Sequence, residues 1–533
     1  SLPPGSDRPY AIENISLALH SGETVCVVGE SGSGKSLTAK AIMALLPAPH
    51  VKVSAGRINF GKEDLVKANY ERIRQIRGSE ISMIFQEPMT ALNPVMTIGS
   101  QIDEIFRFHA NMNANERREK AVDLLNDVNL PDPKQIVNAY AHELSGGQRQ
   151  RAMIAMALAL SPKILIADEP TTALDVTTQA QILKLIKDMQ SLYNTGVLFI
   201  THDFGVVADI ADQVAVMQEG FIVEKGSVEK VLNEPTHTYT KSLIGAVPSL
   251  NPRPARKKSE ETVLSVTGLN KTFGGGKTFF GIGKSSRVVR AVKNVSLELF
   301  QGETLGIVGE SGSGKSTLAR CIIKLMEYDS GTVLLQGQNI SELGRAQMRP
   351  FRRKIQMVFQ DPFASLNPRI KVGNIISQGP IIQGSSKEEA DRRARELLSI
   401  VGLDSRAFDR YPHEFSGGQR QRIGVARALA LNPEVLVADE PVSALDVSIQ
   451  AQILKLLDDI RLKMNLSMIF ITHDLRVAAQ VCDRLIVMRY GEIVEVGSTL
   501  EMFQKPRHQY TQELLAAVPG KGWEKENNSV FKT

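Results

Sequence analysis

The chain has 533 residues, 42% of them hydrophobic, and its 63 Lys and Arg against 58 Asp and Glu give a formal net charge of +5. At ~150 residues per domain that length admits two to four units, and so small a charge implies no strong polyanion-binding surface. Three cysteines, Cys26, Cys321 and Cys482, stand singly in apolar surroundings, which excludes a disulfide framework or a Cys-x-x-Cys metal site, and neither a membrane-length apolar run nor a secretory signal is visible.

In chain order, the first half lacks an equivalent of the LSVTGLNKTF run that begins the second, so residues ahead of Ser1, including a strand, are expected to be missing. The apolar run TVCVV predicts a strand, and LTAKAIMALL predicts a helix. Between them lie Gly29, Glu30, Ser31, Gly32, Ser33, Gly34, Lys35 and Ser36. A strand, a glycine loop and a helix in that order make a phosphate cradle: backbone N–H groups turn inward where a Cβ would block the approach, and the helix adds its positive end. Lys35 is expected to reach the β- and γ-phosphates of ATP, and the Ser36 hydroxyl to ligand Mg²⁺, with Leu37 completing the loop.

After this helix come a short strand pattern, a polar helix and the run EISMIFQEPMTALNP. A largely helical lobe is expected from about Ile98 to Leu160, with NANERREKAVDLLNDV amphipathic at 3.6 spacing. YAHELSGGQRQR then introduces an apolar helix, AMIAMALAL. The ILIA run between Pro162 and Pro170 predicts a buried parallel strand, and VLFITHD a second.

NPRPARKKSEE, residues 251–261, has the proline and charge of a linker, and its basic run from Arg253 to Lys258 is expected to be solvated. The second half repeats the order: the loop of Gly309, Glu310, Ser311, Gly312, Ser313, Gly314, Lys315 and Ser316, with Thr317 after it, then QDPFASLNP, YPHEFSGGQRQR, EVLVADEPVSALD and MIFITHD. Ser145 and Ser416, Asp168 and Asp439, and His202 and His473 are each 271 residues apart. A constant offset across three motifs means one domain twice, with insertions confined to loops. The expected fold is α/β, with a mostly parallel sheet and an inserted helical lobe in each copy. The expected boundaries are 1–250 for the first domain and 262–533 for the second, each ending in an extension, at about 226–250 and 497–520.

With these motifs, each half resembles the nucleotide-binding domain of an ABC transporter, a P-loop NTPase. SGGQ is the family's signature sequence. QEPMTALNP and QDPFASLNP resemble the glutamine loop of the oligopeptide, dipeptide and nickel importer branch. PTHTYTKSLIGAVP and PRHQYTQELLAAVP resemble that branch's C-terminal His-Pro-Tyr extension, here with Thr238 or Gln509 in the middle place. A chain carrying both ATPases resembles the fused subunits of peptide importers, such as those for microcin C or glutathione.

The resemblance implies roles. Asp168 and Asp439 close buried strands, where a carboxylate can hold Mg²⁺ opposite the loop serine. Glu169 and Glu440 are the expected bases toward the attacking water, and His202 and His473 are expected to contact the γ-phosphate or hold that water. Gln86 and Gln360 are expected to sense Mg²⁺ and nucleotide. Ser145, Gly146, Gly147 and Gln148, like Ser416, Gly417, Gly418 and Gln419, open a helix as a second phosphate-binding end, which in the family faces the partner domain's P-loop. Asp175 and Asp446 would then cross the dimer interface, although either is equally an ordinary helix N-cap. For the adenine platform the first half offers Ser6 and Tyr10, and the second Phe273, with Phe279 and Phe280 in a 274–288 insertion that reads as a surface loop.

The function so implied is an ATP-hydrolysing motor, peripheral on the cytoplasmic face of the bacterial inner membrane. It would drive two membrane permease subunits fed by an extracytoplasmic substrate-binding protein, with no nucleic-acid partner and no iron–sulfur centre. The alternative, a soluble tandem ABC ATPase of translation or DNA repair, would carry a charged helical linker, zinc cysteines or coiled-coil insertions, none of which is present in this sequence.

Overall fold

The computed structural model describes residues 9–47, 50–171, 174–254, 256, 259–274, 288–443 and 445–523. Ser6, Phe279, Phe280 and nearly all of the insertion after Phe273 lie outside them. The described residues form two compact units, one from within 1–174, 178–245 and 519–523, the other from within 175–177 and 246–518.

In the first unit one six-stranded sheet runs in the order Ile81–Ile84, Ile164–Asp168, Gly196–Ile200, Thr24–Val28, Gln213–Gln218, Phe221–Ser227. The first five strands are parallel and only the last is antiparallel. Thr24–Val28 is buried at all five positions, as expected for a strand covered on both faces. Because neighbours run parallel, the loops that follow them leave from one edge of the sheet. That edge therefore receives the glycine loop, Gln86, Glu169 and His202 together. The helices Ile98–His109, Ala114–Asp127, Pro133–Ile136 and Gly146–Leu158 occupy the sequence between the first two strands of that order.

The second unit repeats the sheet in the order Ile355–Val358, Val435–Asp439, Ser467–Ile471, Thr304–Val308, Arg484–Arg489, Glu492–Ser498. Its alternating residues feed two cores: Leu436, Ala438, Met468 and Phe470 belong to one, Val435, Val437, Ile469 and Ile471 to the other. This unit also has an antiparallel sheet of Thr262–Phe273, Val289–Phe300, Ser330–Leu335 and Gln338–Asn339. Among the described residues the first unit has only the pair Asn59–Phe60 and Glu63–Asp64 in a second sheet.

Of the basic run expected to be solvated, Arg253 and Arg256 are instead paired, while Lys257 and Lys258 lie outside the described residues. The Arg253 side chain is only 9% exposed, its guanidinium lying 2.6 Å from Asp483 and 3.6 Å from Asp458, and Arg256 pairs with Asp458 at 2.6 Å. The Arg253 N–H donates to the Ala479 carbonyl, while Gln480 Nε2 donates to the carbonyls of Ser249 and Asn251. Two carboxylates that are distant in sequence supply the charge that composition alone did not reveal. The three cysteines are free and buried, and burial pushes the Cys26 and Cys482 thiols up.

Candidate active sites

Each glycine loop turns between its strand and the helix Lys35–Ile42 or Lys315–Ile322, with Gly34 and Gly314 left-handed at φ 107° and 106°. The ammonium of Lys35 donates to the carbonyls of Gly29 and Glu30 at 2.7 and 2.8 Å, and Lys315 makes the same pair with Gly309 and Glu310 at the same distances. Burial pushes the Lys315 ammonium down, against the pull of Glu440 and Asp439.

Ser36 Oγ donates to Asp168 Oδ1 at 2.9 Å, and Ser316 Oγ to Asp439 Oδ1 at 2.8 Å. Burial pushes both aspartates up; the serine hydrogen bond opposes this and the adjacent glutamate reinforces it. Asp439 Oδ2 is buried and has no hydrogen-bond partner. A strand-end carboxylate with an open oxygen beside a hydroxyl is a hard-oxygen pair suited to a small divalent cation.

Glu169 and Glu440 stand in the left-handed region at φ 48° and 46°, unusual for glutamate. Their N–H groups are held by the carbonyls of Ile200 and Ile471. This turn sends the carboxylate off the strand direction and toward two further groups. Gln86 Nε2 donates to Glu169 Oε2 at 3.0 Å, and Gln360 Nε2 to Glu440 Oε2 at 2.9 Å. His202 Nδ1 lies 3.5 Å from Glu169 Oε2, and His473 Nδ1 3.2 Å from Glu440 Oε2. The imidazoles are placed by the aspartates that follow them: Asp203 and Asp474 cap the helices Phe204–Ile210 and Leu475–Val481.

The Glu440–His473 contact has a pH signature. Burial opposes charge on both, but their mutual hydrogen bond and attraction prevail, holding the His473 imidazole above its usual value and the Glu440 carboxyl below its own. The raised histidine contributes stability that is complete below about pH 6.5 and is lost as pH rises through its folded value; the lowered glutamate contributes above about pH 4.5 and loses this as pH falls through its folded value. The unfolding midpoint of wild type minus that of His473→Gln should therefore peak between those two pH values and shrink on either side. A difference that does not vary with pH would refute the pair.

Ser145 and Ser416 stand on other elements, capping the helices Gly146–Leu158 and Gly417–Leu429. Each accepts from the N–H of Gln148 or Gln419, whose side chain returns to the serine N–H. Gly146, Gly147, Gly417 and Gly418 thus stand in the first turns of these helices. Asp446 is the N-cap residue of Val447–Met464, and Asp175 accepts from Thr177 Oγ1.

A cleft of about 650 Å³ opens over the second loop, lined by Ser311, Gly312, Gly314, Lys315, Ser316, Thr317, Gln360 and Glu440 together with Val288, Val289, Arg290, Ala291, Lys293 and Tyr490. Phe273 is not on its wall. It ends its strand opposite Val289, with the Lys271 ammonium 5.5 Å from its ring. Among the described lining residues the aromatic ring is Tyr490, in the turn after Arg484–Arg489, a place with no motif to announce it in the sequence. In the first half Tyr10 is 41% exposed.

Sequence comparison places the chain among known proteins. The family described as ABC transporter matches residues 12–172 and 292–443, and the family described as oligopeptide/dipeptide transporter, C-terminal region, matches residues 223–281 and 494–530. The glutathione import ATP-binding protein GsiA of Salmonella paratyphi A is 47% identical over 96% of this chain and 86% of its own length. The peptidoglycan transport ATP-binding protein YejF of Agrobacterium fabrum is 47% identical over 96% and 94%. GsiA of Escherichia coli is 46% identical over 96% and 86%. These relatives do not favour the alternative of a translation or repair factor. The chain belongs to the ABC transporter family: it is an importer-type ATPase with two ATP-binding domains, each followed by the C-terminal region of the oligopeptide/dipeptide branch.

Proposed function

We propose that this chain hydrolyses Mg²⁺-ATP at both sites to drive uptake of a peptide or peptide-like substrate through two separate membrane permease subunits. An extracytoplasmic binding protein delivers the substrate, and the chain lies peripherally on the cytoplasmic face of the bacterial inner membrane. Among the described residues no helix is long and apolar enough to cross a membrane. The observation that carries the reading is the glutamate in each half, held between a glutamine amide and an imidazole beside a serine–aspartate pair.

Glu169 and Glu440 orient the attacking water and take its proton, while His202 and His473 fix the carboxylate. Lys35, Lys315 and the loop N–H groups hold the phosphates, so the chemistry is mostly positioning and charge neutralisation. Ser36 with Asp168 and Ser316 with Asp439 would hold Mg²⁺, with Gln86 and Gln360 alongside; the cation supplies neutralisation of phosphate charge when bound.

The test is to purify the Glu169→Gln plus Glu440→Gln chain with ATP from gently solubilised native membranes and identify its companions. Two multi-span permeases, with a binding protein whose ligand is a peptide by mass spectrometry, are the expected result. Ribosomes or DNA-repair proteins with no membrane protein would overturn it.

A further inference from the structure

The C-terminal region of each half ends in a short helix, Thr238–Gly245 or Gln509–Ala516, and both are anchored in the same way. Glu224, on the antiparallel edge strand, accepts from the N–H groups of Thr236 and His237 at 2.7 and 3.1 Å; Glu495 accepts from those of Arg507 and His508 at 2.8 and 3.0 Å. His237 Nδ1 then accepts from the Tyr239 N–H at 3.2 Å, and His508 Nδ1 from the Tyr510 N–H at 3.1 Å. The histidine thus acts as an N-cap, and the tyrosine two residues later takes one fixed direction.

That direction is into the glycine loop. The Glu30 N–H donates to Tyr239 Oη at 3.1 Å, and the Glu310 N–H to Tyr510 Oη at 3.1 Å. Tyr239 Oη also lies 3.3 Å from Glu30 Oε2, to which it can donate. Tyr510 is 1% exposed, and the Arg489 guanidinium sits 4.4 Å from its ring centroid. Burial pushes its phenol up, so it keeps its proton. The residue so gripped is the one whose carbonyl accepts from the loop lysine, at 2.8 Å in both halves. The peptide whose N–H meets the tyrosine, Gly29–Glu30 or Gly309–Glu310, also turns its carbonyl to the same lysine at 2.7 Å, so hydroxyl, peptide and ammonium form one short chain of contacts, present twice in one molecule.

We propose that Tyr239 and Tyr510 are positioning residues for Lys35 and Lys315, and that through them the C-terminal regions tune the affinity of each loop for the phosphates of ATP. The inference rests on the reading that these lysines meet the β- and γ-phosphates.

The test replaces both tyrosines with phenylalanine in the full-length chain, which keeps the packed ring and deletes only the hydroxyl. Equilibrium titration with ATP should show affinity weakened about threefold to tenfold, the scale of one lost hydrogen bond at each loop. KM for ATP should rise in parallel, with kcat within about twofold of wild type. A merely structural hydroxyl would instead lower the unfolding midpoint and leave KM and ATP affinity unchanged, and that outcome overturns the proposal. Lys35→Ala plus Lys315→Ala is measured beside it: if ATP affinity survives that change, the reading of the lysines fails. If affinity is lost there but unchanged in the phenylalanine variant, only the positioning role fails.

Discussion

Replacing Glu169 and Glu440 together by glutamine should lower ATP turnover by about 10²- to 10⁴-fold, the range contributed by a positioned general base. Glutamine keeps the shape of glutamate, so it can retain contact with Gln86 or Gln360 and the fold should survive. What disappears is the ability to take a proton from water. Both carboxylates occupy left-handed backbone, φ 48° and 46°, a conformation that costs on the order of 1–2 kcal/mol per residue outside glycine. The same strained turn in both halves places each carboxylate against its glutamine and histidine. Each single variant should therefore lose at least about half of the phosphate release measured at saturating ATP. One single variant with unaltered turnover, while the other abolishes it, would show that the halves are not two working sites.

The second large effect concerns the first glycine of each loop. Gly29 and Gly309 have φ 151° and 149°, and a Cβ on either would fall 2.2 Å from the carbonyl oxygen of Met217 or Met488 on the neighbouring strand. That oxygen belongs to a buried sheet and cannot swing aside as a long side chain could. Gly309→Ala therefore combines backbone strain with overpacking, about 3 kcal/mol or more in total. For a domain of this size that corresponds to roughly 6–12 °C in the unfolding midpoint. Gly312→Ala is the control, because Gly312 has positive φ but no atom within 4 Å of the added Cβ. Only the strain applies there, about 1–2 kcal/mol. Calorimetry of the two variants decides the matter, and equal shifts would mean that the close approach to Met488 carries no cost.

Much of the site was legible because its parts are local. Strand, glycine loop and helix are contiguous, so the residue types from Gly29 to Ser36 already imply a phosphate cradle. Asp168 and Glu169 follow a short, proline-bounded apolar run that reads as a buried strand, as it is. The meeting of Asp168 with Ser36, 132 residues away, follows from parallel pairing, which brings successive strand ends to one edge.

Other features depended on contacts that leave no periodic trace. The run from Arg253 reads as solvated by charge alone, yet Asp483 and Asp458 pair with its Arg253 and Arg256 across more than 200 residues. Tyr490, which no motif announces, stands on the described wall of the second cleft, while Phe273, expected to be its adenine platform, pairs with Val289 of that wall.

By itself, the sequence determined that there are two copies of one phosphate-binding α/β domain and which residue types stand at each strand end, because these are set by neighbours along the chain. Only the tertiary structure decided which distant groups touch them. Tyr239 meets Glu30 across 209 residues and Tyr510 meets Glu310 across 200. Contacts of that separation are fixed by how helix and sheet pack, through burial and buried hydrogen bonds that no local pattern encodes.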